Sequence, residues 1–87
     1  MLFIEAREYL NAGDWVIVTI VTECNVCVMD DNEFTNYRNG RRFRHLGGPY
    51  KRSPARIQVP SSGYWNTIDT DGAPANIRYD ISYAKKS

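Results

Sequence analysis

Hydrophobic and polar residues alternate along much of the chain, a pattern typical of strands that bury one face. The segments "ARIQV" (residues 55–59) and "IRYDISY" (residues 77–83) place apolar side chains on one phase and polar side chains on the other. The segment "WVIVTIV" (residues 15–21) is apolar on both phases and rich in β-branched residues. It therefore predicts a central strand that is covered on both sides. Three further short strands are predicted at residues 25–29, 42–46 and 64–69.

Turn signals separate these segments at short intervals. Asn39-Gly40 predicts a two-residue hairpin, because both central positions of a type I′ turn need a positive φ. Residues 1–12 fit either a strand or a short helix, and we prefer the strand. Further breaks are predicted at residues 12–14, 47–49, 60–63 and 71–74. Short strands with frequent turns predict one all-β domain over residues 1–87, a single antiparallel, jelly-roll-like β-sandwich of about seven or eight strands.

The apolar phases of the predicted strands define the expected core. A chain of 87 residues buries only about 60–65% of the surface that it exposes when unfolded, so this core is modest. The residues expected in it are Val16, Val18, Ile20, Val26, Val28, Ile57, Val59, Ile68, Ile77, Tyr79 and Ile81.

Composition is that of an ordinary folded domain. Hydrophobic residues make up 43% of the chain and charged residues 24%, which argues against disorder. No stretch approaches the roughly 18 apolar residues that span a bilayer. Glu5 interrupts the apolar start, unlike the pattern of a signal peptide. We therefore expect a cytoplasmic protein that does not enter a membrane.

Charge is distributed unevenly although the net charge is only +1. Residues 1–37 carry seven acids and one base, a net charge of −6. Residues 38–56 carry seven bases and no acid, a net charge of +7, and they interleave these bases with aromatic rings. Such a pattern is typical of surfaces that bind phosphates and stack on bases. The predicted anion-binding residues are Arg41, Arg42, Arg44, Lys51 and Arg52, with Phe43 and Tyr50 as stacking rings.

The predicted strand at 42–46 would divide this segment between two faces. Arg42 and Arg44 would share one face, and Arg41, Phe43 and His45 the other. The expected partner is an anionic small molecule or a nucleic acid. The alternative is intramolecular: the basic segment packs beside the acidic half of the chain, and the charges form weak surface pairs.

The C-x-x-C motif places Cys24 at the edge of the strand predicted at residues 25–29 and Cys27 inside it. Residues three apart on a strand face opposite sides, with Cα atoms roughly 10 Å apart. A disulfide needs less than about 7 Å, so the pair should not close. A structural zinc site needs four ligands, and the chain offers two cysteines and one histidine. We therefore expect Cys27 to be a small buried residue and the motif to be structural.

No constellation of residues points to catalysis. His45 is the one histidine and has no carboxylate beside it in sequence, so a catalytic role would require a carboxylate in the same pocket. The acidic run at 30–33 is interpreted as a strand-end loop, because it lacks the ligand spacing of a calcium loop. We expect no enzymatic activity, no cofactor and no metal site.

Two other kinds of recognition remain open. Trp15, Tyr64 and Trp65 could form a platform that stacks on a carbohydrate, although aromatic residues of a small sandwich more commonly pack in its core. An exposed sheet edge could bind a protein partner or a second copy of the chain as a homodimer.

Four segments together resemble a small bacterial family known as domain of unknown function 1883. They are "REYLNAGD", "CNVCVMDDNEFTNY", "YKRSPARIQVPSSGYW" and "ANIRYDIS", and the likeness runs from about residue 3 to residue 82. The resemblance implies a compact β-sandwich, found alone or fused to Toll/interleukin-1-receptor-like domains. It implies a recognition or sensing role and supplies no catalytic residues.

Overall fold

Seven strands and one short helix make up the described part of the chain in a computed structural model, which describes residues 5–20, 23–69 and 80–85. The elements are β1 (Glu5–Leu10), β2 (Trp15–Thr19), β3 (Cys24–Asp30), α1 (Asp31–Arg38), β4 (Leu46–Tyr50), β5 (Ala55–Gln58), β6 (Gly63–Asp69) and β7 (Asp80–Ala84). Two antiparallel sheets form, with strand orders β1-β6-β3-β4 and β5-β2-β7. The predicted all-β sandwich is confirmed.

Period-two patterning located most of these strands. The segments predicted at 25–29, 55–59 and 64–69 correspond to β3, β5 and β6, and the preference for a strand near the start is confirmed by β1. Of the segment predicted at 77–83, the described part lies in β7. The break predicted at residues 71–74 lies outside the described residues.

The core forms two layers, one between the sheets and one on the outer face of the four-stranded sheet. Most of the predicted core residues are buried between the sheets, namely Val16, Val18, Ile20, Val26, Val28, Ile57 and Val59. Ile81 is half-buried against them, Ile68 is buried in the outer layer, and Ile77 and Tyr79 lie outside the described residues. The sequence therefore predicted the inner layer well.

Strand β2 differs from its prediction. It is central in its sheet, as expected, but its burial alternates rather than covering both faces. Val16 and Val18 are buried, Ile17 is half-buried, and the Trp15 side chain is 38% exposed. The outer face of this sheet therefore has no full covering layer among the described residues.

A helix replaces the predicted strand-end loop at residues 30–33. Asp30 is the N-cap, and its Oδ1 accepts a hydrogen bond of 2.8 Å from the Glu33 backbone N–H. Acidic residues in the first turn and Arg38 in the last turn complement the helix dipole. Phe34 is the helical side chain that is buried, packing with Met29 and Ile68 on the outer face of the sheet.

The end of this helix explains why the hairpin prediction at Asn39-Gly40 is wrong. Asn39 is the C-cap with φ −92°, whereas a type I′ turn needs a positive φ there. Gly40 has φ +70° and follows the cap, the position where glycine commonly ends helices. A glycine with positive φ is thus compatible both with a hairpin turn and with the end of a helix.

Candidate functional site

Residues 38–45 form the most basic exposed segment of the described structure, and we call them the basic loop. They comprise the last residue of α1 and the connection to β4. Within the described ranges, none of the loop's basic side chains lies within ion-pair distance of a carboxylate. The exposed basic residues of the loop are Arg38, Arg41, Arg42 and Arg44.

Backbone contacts hold the basic loop against α1. The Glu33 Oε1 atom accepts a hydrogen bond of 2.8 Å from the backbone N–H of Arg44. The backbone N–H of Arg41 donates to the Asn36 carbonyl oxygen at 2.8 Å. Neither contact uses a guanidinium group. The Arg38 guanidinium group lies over the Phe34 ring, 5.7 Å from its centroid, and those of Arg41, Arg42 and Arg44 make no hydrogen bond or ion pair with a described residue.

An aromatic anchor fixes the middle of the loop. Phe43 is half-buried and packs against the cluster beneath α1, and its ring meets the Tyr37 ring edge-on with centroids 5.1 Å apart. The His45 ring lies beside Phe43, with centroids 5.7 Å apart. Phe43 therefore anchors the loop instead of standing free as a stacking ring.

The predicted strand at 42–46 is wrong, and so is the division of its side chains between two faces. Residues 41–45 have no regular secondary structure, and β4 begins at Leu46 and continues through the predicted break at 47–49. Gly47 has φ +84°, and a Cβ atom there would clash with the Val26 carbonyl oxygen. Strand β4 therefore depends on glycine for its close approach to β3.

The structure separates the predicted site residues into two groups. Strand β4 lies between the two groups in sequence and pairs with β3. The basic loop therefore precedes one end of β4, and Lys51 and Arg52 follow the other end. About 13 Å of extended chain lies between these ends. Tyr50 is half-buried against the core between the sheets, and this burial raises the pKa of its hydroxyl group. Lys51, Arg52 and Tyr50 therefore do not join the basic loop in one small site.

The alternative expected the basic segment to pack beside the acidic half and their charges to pair. The packing is observed, because β4 pairs with β3 and the Glu33 carboxylate accepts a hydrogen bond from the Arg44 backbone, whereas no charge pair joins the two segments among the described residues. The ion pair that the structure does show joins two residues of the acidic half, Arg7 and Asp31. Arg7 donates from Nε and from a terminal nitrogen to the two carboxylate oxygens, at 3.1 and 2.7 Å. The basic segment makes no comparable pair within the described residues.

Sequence reasoning missed the network around this pair. Asn66 is fully buried, and its Nδ2 donates to Asp31 Oδ1 at 2.8 Å. The hydrogen bonds from Arg7, and then that from Asn66, hold the pKa of the Asp31 carboxyl below its usual value. The network ties the start of α1 to β1 and β6. The alternation of β1 could have placed Arg7 on the outer face, but no sequence signal pairs it with Asp31.

His45 lines a small cleft of about 220 Å³ together with Asp30 and Glu33. Both carboxylates already accept a backbone hydrogen bond. Asp30 accepts from the Glu33 N–H, and Glu33 accepts from the Arg44 N–H. The His45 Nδ1 atom lies 3.2 Å from the Leu46 carbonyl oxygen. The carboxylate that a catalytic role would require is therefore present in the same cleft, although no hydrogen bond within the described part of the chain joins the ring to it.

The predicted aromatic platform does not form, because its three residues differ in sheet and in burial. Trp65 is 8% exposed and its indole N–H donates to the Ser61 carbonyl oxygen at 3.0 Å, so this residue belongs to the core. Trp15 lies on the other sheet. Tyr64 is exposed, and its ring meets the Tyr9 ring edge-on with centroids 5.3 Å apart. Tyr64 and Trp65 border one cleft, but Trp15 is not among its lining residues, so the three predicted residues do not form one platform.

The C-x-x-C motif lies in β3, as predicted, and Cys27 is buried on the face beneath α1. Across the described ranges, no three histidine, cysteine, aspartate or glutamate side chains group together as metal ligands would. Nor does the described part of the chain contain a helix long and apolar enough to cross a bilayer.

Comparison with protein families identifies the chain. The family model described as domain of unknown function (DUF1883) matches residues 1–87, so the chain belongs to this family. No curated protein and no solved structure matches it.

Proposed function

We propose that this member of the domain of unknown function 1883 family is a non-catalytic, cytoplasmic recognition module whose basic loop binds the phosphate groups of an anionic ligand. The observation that carries the proposal is the set of exposed guanidinium groups without a described carboxylate partner. Their backbone is held by Glu33 and by the Phe43 anchor. A positioned loop loses less conformational entropy on binding than a free one.

The arginine side chains of the basic loop are well suited to binding phosphate. Its planar guanidinium group donates two parallel hydrogen bonds to a phosphate and keeps its charge at all physiological pH values. Four arginines lie between residues 38 and 44. If all of them contact a single-stranded nucleic acid, the logarithm of the binding constant should fall with the logarithm of salt concentration at a slope of roughly −3.

Because Phe43 anchors the loop, we expect the ligand's phosphates, and not its bases, to be contacted. The Phe43 ring is half-buried with the Tyr37 and His45 rings beside it, so it is not an open stacking surface for a base. Contacts would therefore be made to phosphates, which carry no sequence information. We expect binding with little preference among base sequences.

A matched pair of double variants tests the proposal. Arg42→Glu with Arg44→Glu reverses two charges in the basic loop, and Lys51→Glu with Arg52→Glu makes the same change of net charge at the other end of β4. The readout is the fluorescence anisotropy of a labelled short oligothymidylate. We expect the first variant to lose at least about tenfold in affinity and the control to change by less than about threefold. Equal losses, or no loss in the first variant, would refute the assignment.

Docking through a sheet edge has weaker support. Strand β4 is an edge strand, and Pro49 removes one of its N–H donors. Its neighbours Gly47 and Gly48 both have positive φ, which disturbs the flat geometry that an added strand requires. This edge therefore opposes strand addition, and binding of a protein partner or a second copy remains the alternative prediction.

A further inference from the structure

We propose that a second cleft, on the other side of Asp30 from the basic loop, binds one ring of a neutral carbohydrate. This tyrosine cleft has a volume of about 290 Å³, close to the lower end of the range for small-molecule sites. It shares Asp30 and Trp65 with the cleft beside His45 and contains none of the basic loop. The residues lining it are Asp30, Asp31, Asn32, Ser61, Ser62, Gly63, Tyr64 and Trp65.

The aromatic wall of the cleft is exposed and held in place. The Tyr64 side chain is 47% exposed although it lies on a strand inside the sheet. The Arg7 guanidinium group stacks on the ring at 3.8 Å from its centroid, and the Tyr9 ring lies nearly perpendicular to it with the centroids 5.3 Å apart. Because Arg7 covers one face of this ring, a sugar would stack on the opposite face, whose electron-rich surface attracts the partly positive C–H hydrogens.

The opposite side of the cleft is rich in hydrogen-bonding groups. Asp30, Asp31, Asn32, Ser61 and Ser62 line it, and their side chains carry carboxylate, amide and hydroxyl groups. The Ser62 Oγ atom already accepts a hydrogen bond of 2.9 Å from the Ala12 backbone N–H. Each carboxylate can accept about four hydrogen bonds, so oxygens that already hold internal donors can accept more. Sugar hydroxyl groups both donate and accept hydrogen bonds, so they can pair with the carboxylates and with the hydroxyl and amide groups.

The charges of the cleft favour a neutral ligand. Two carboxylates and no basic side chain line it, which disfavours an anion. Arg7 already balances Asp31, and Asp30 caps the positive end of α1. A cation would therefore gain little, whereas hydroxyl groups can use these oxygens without a net charge.

The inference is independent of the anion site, so either can fail alone. The probes are maltotetraose and cellotetraose, titrated separately into ¹⁵N-labelled protein up to about 20 mM, which detects millimolar dissociation constants. We expect saturable amide shifts within residues 30–32 and 61–65 with one or both sugars. These shifts should persist when salt is raised to about 0.5 M, because no ion pair with the ligand is involved.

Two substitutions of Tyr64 separate a role of its ring from a role of its bulk. Tyr64→Phe keeps the ring and should bind the sugar within about threefold of the wild type, whereas Tyr64→Leu keeps apolar volume without the ring and should lose about tenfold. Unchanged shifts elsewhere would show that both variants fold. The inference is overturned if neither sugar gives saturable shifts at the cleft, if both variants bind equally, or if tetramethylammonium chloride shifts the cleft in place of the sugars.

Discussion

The carboxylate of Glu33 accepts a hydrogen bond of 2.8 Å from the backbone N–H of Arg44, and not from its guanidinium group. An acidic side chain thus positions the basic loop without neutralising it. The guanidinium group of Arg44 remains exposed, with no carboxylate of the described residues within ion-pair distance. Glu33 lies in the first turn of α1, so the helix that the sequence did not predict holds the proposed site in place.

Removing the Glu33 carboxylate should loosen the basic loop. Glu33→Ala leaves the Arg44 N–H without its acceptor and should lower the free energy of unfolding by about 1 kcal/mol. Glu33→Gln keeps an acceptor oxygen and should lose less. Urea unfolding and hydrogen exchange of the Arg44 amide measure the two effects. Equal exchange rates of this amide in the wild type and in Glu33→Ala would contradict the role given to the contact.

The pair of Arg7 and Asp31 should make stability depend on pH. Because the folded state lowers the pKa of Asp31 from its ordinary 3.8, the stabilisation is complete above that value and is lost as pH falls through the lower folded-state pKa. Asp31→Asn removes the titration. Urea unfolding of both proteins should give a stability difference that is constant above about pH 5 and shrinks under more acidic conditions. A difference that stays constant below pH 3.8 would contradict the coupling.

Gly47 should tolerate substitution less well than Gly40. Both have positive φ, +84° and +70°, so an alanine at either position should cost about 1–2 kcal/mol in backbone conformation. At Gly47 the added Cβ also meets the Val26 carbonyl oxygen, which should cost a further 1–3 kcal/mol or so, whereas the space at Gly40 is open. Denaturant unfolding of Gly47→Ala and Gly40→Ala compares them. Equal losses would show that β4 moves away from β3 without penalty.

The thiol of Cys27 should be protected in the folded protein. Its side chain is 1% exposed, and buried thiols in structural positions react slowly. In a Cys24→Ser variant, modification of this thiol by an aromatic disulfide reagent should be at least about a hundredfold slower than in urea, because reaction requires opening of the structure. Comparable rates in the two conditions would mean that the sheet beneath α1 opens readily.

Alternation predicted the strands but not the segment that joins β3 to β4. Helix α1 buries one side chain, Phe34, so it has almost no hydrophobic period to detect. Its remaining signal was Asp30 followed three residues later by Glu33, a common start of a helix. Gly40 then supported a hairpin as well as a helix end, because both require a positive φ.

The candidate site was predicted in composition but not in arrangement. The charge count located Arg41, Arg42 and Arg44, whose exposure agrees with a binding surface. The extent of β4 in the structure shows that these arginines lie before the strand, whereas Lys51 and Arg52 lie after it. Pairs such as Arg7 with Asp31 join residues 24 apart in sequence, and such long-range contacts follow from the packing of α1 on the sheet.

The most direct test of the account locates the bound anion on the molecule. A short oligothymidylate is titrated into ¹⁵N-labelled protein at about 0.05 and 0.2 M salt, and amide shifts are mapped along the chain. We expect saturable shifts clustered within residues 38–45, much weaker at the higher salt, with residues 51 and 52 unaffected. Shifts centred on Lys51 and Arg52, shifts that do not respond to salt, or no shifts at all would contradict the claim that the basic loop binds phosphate.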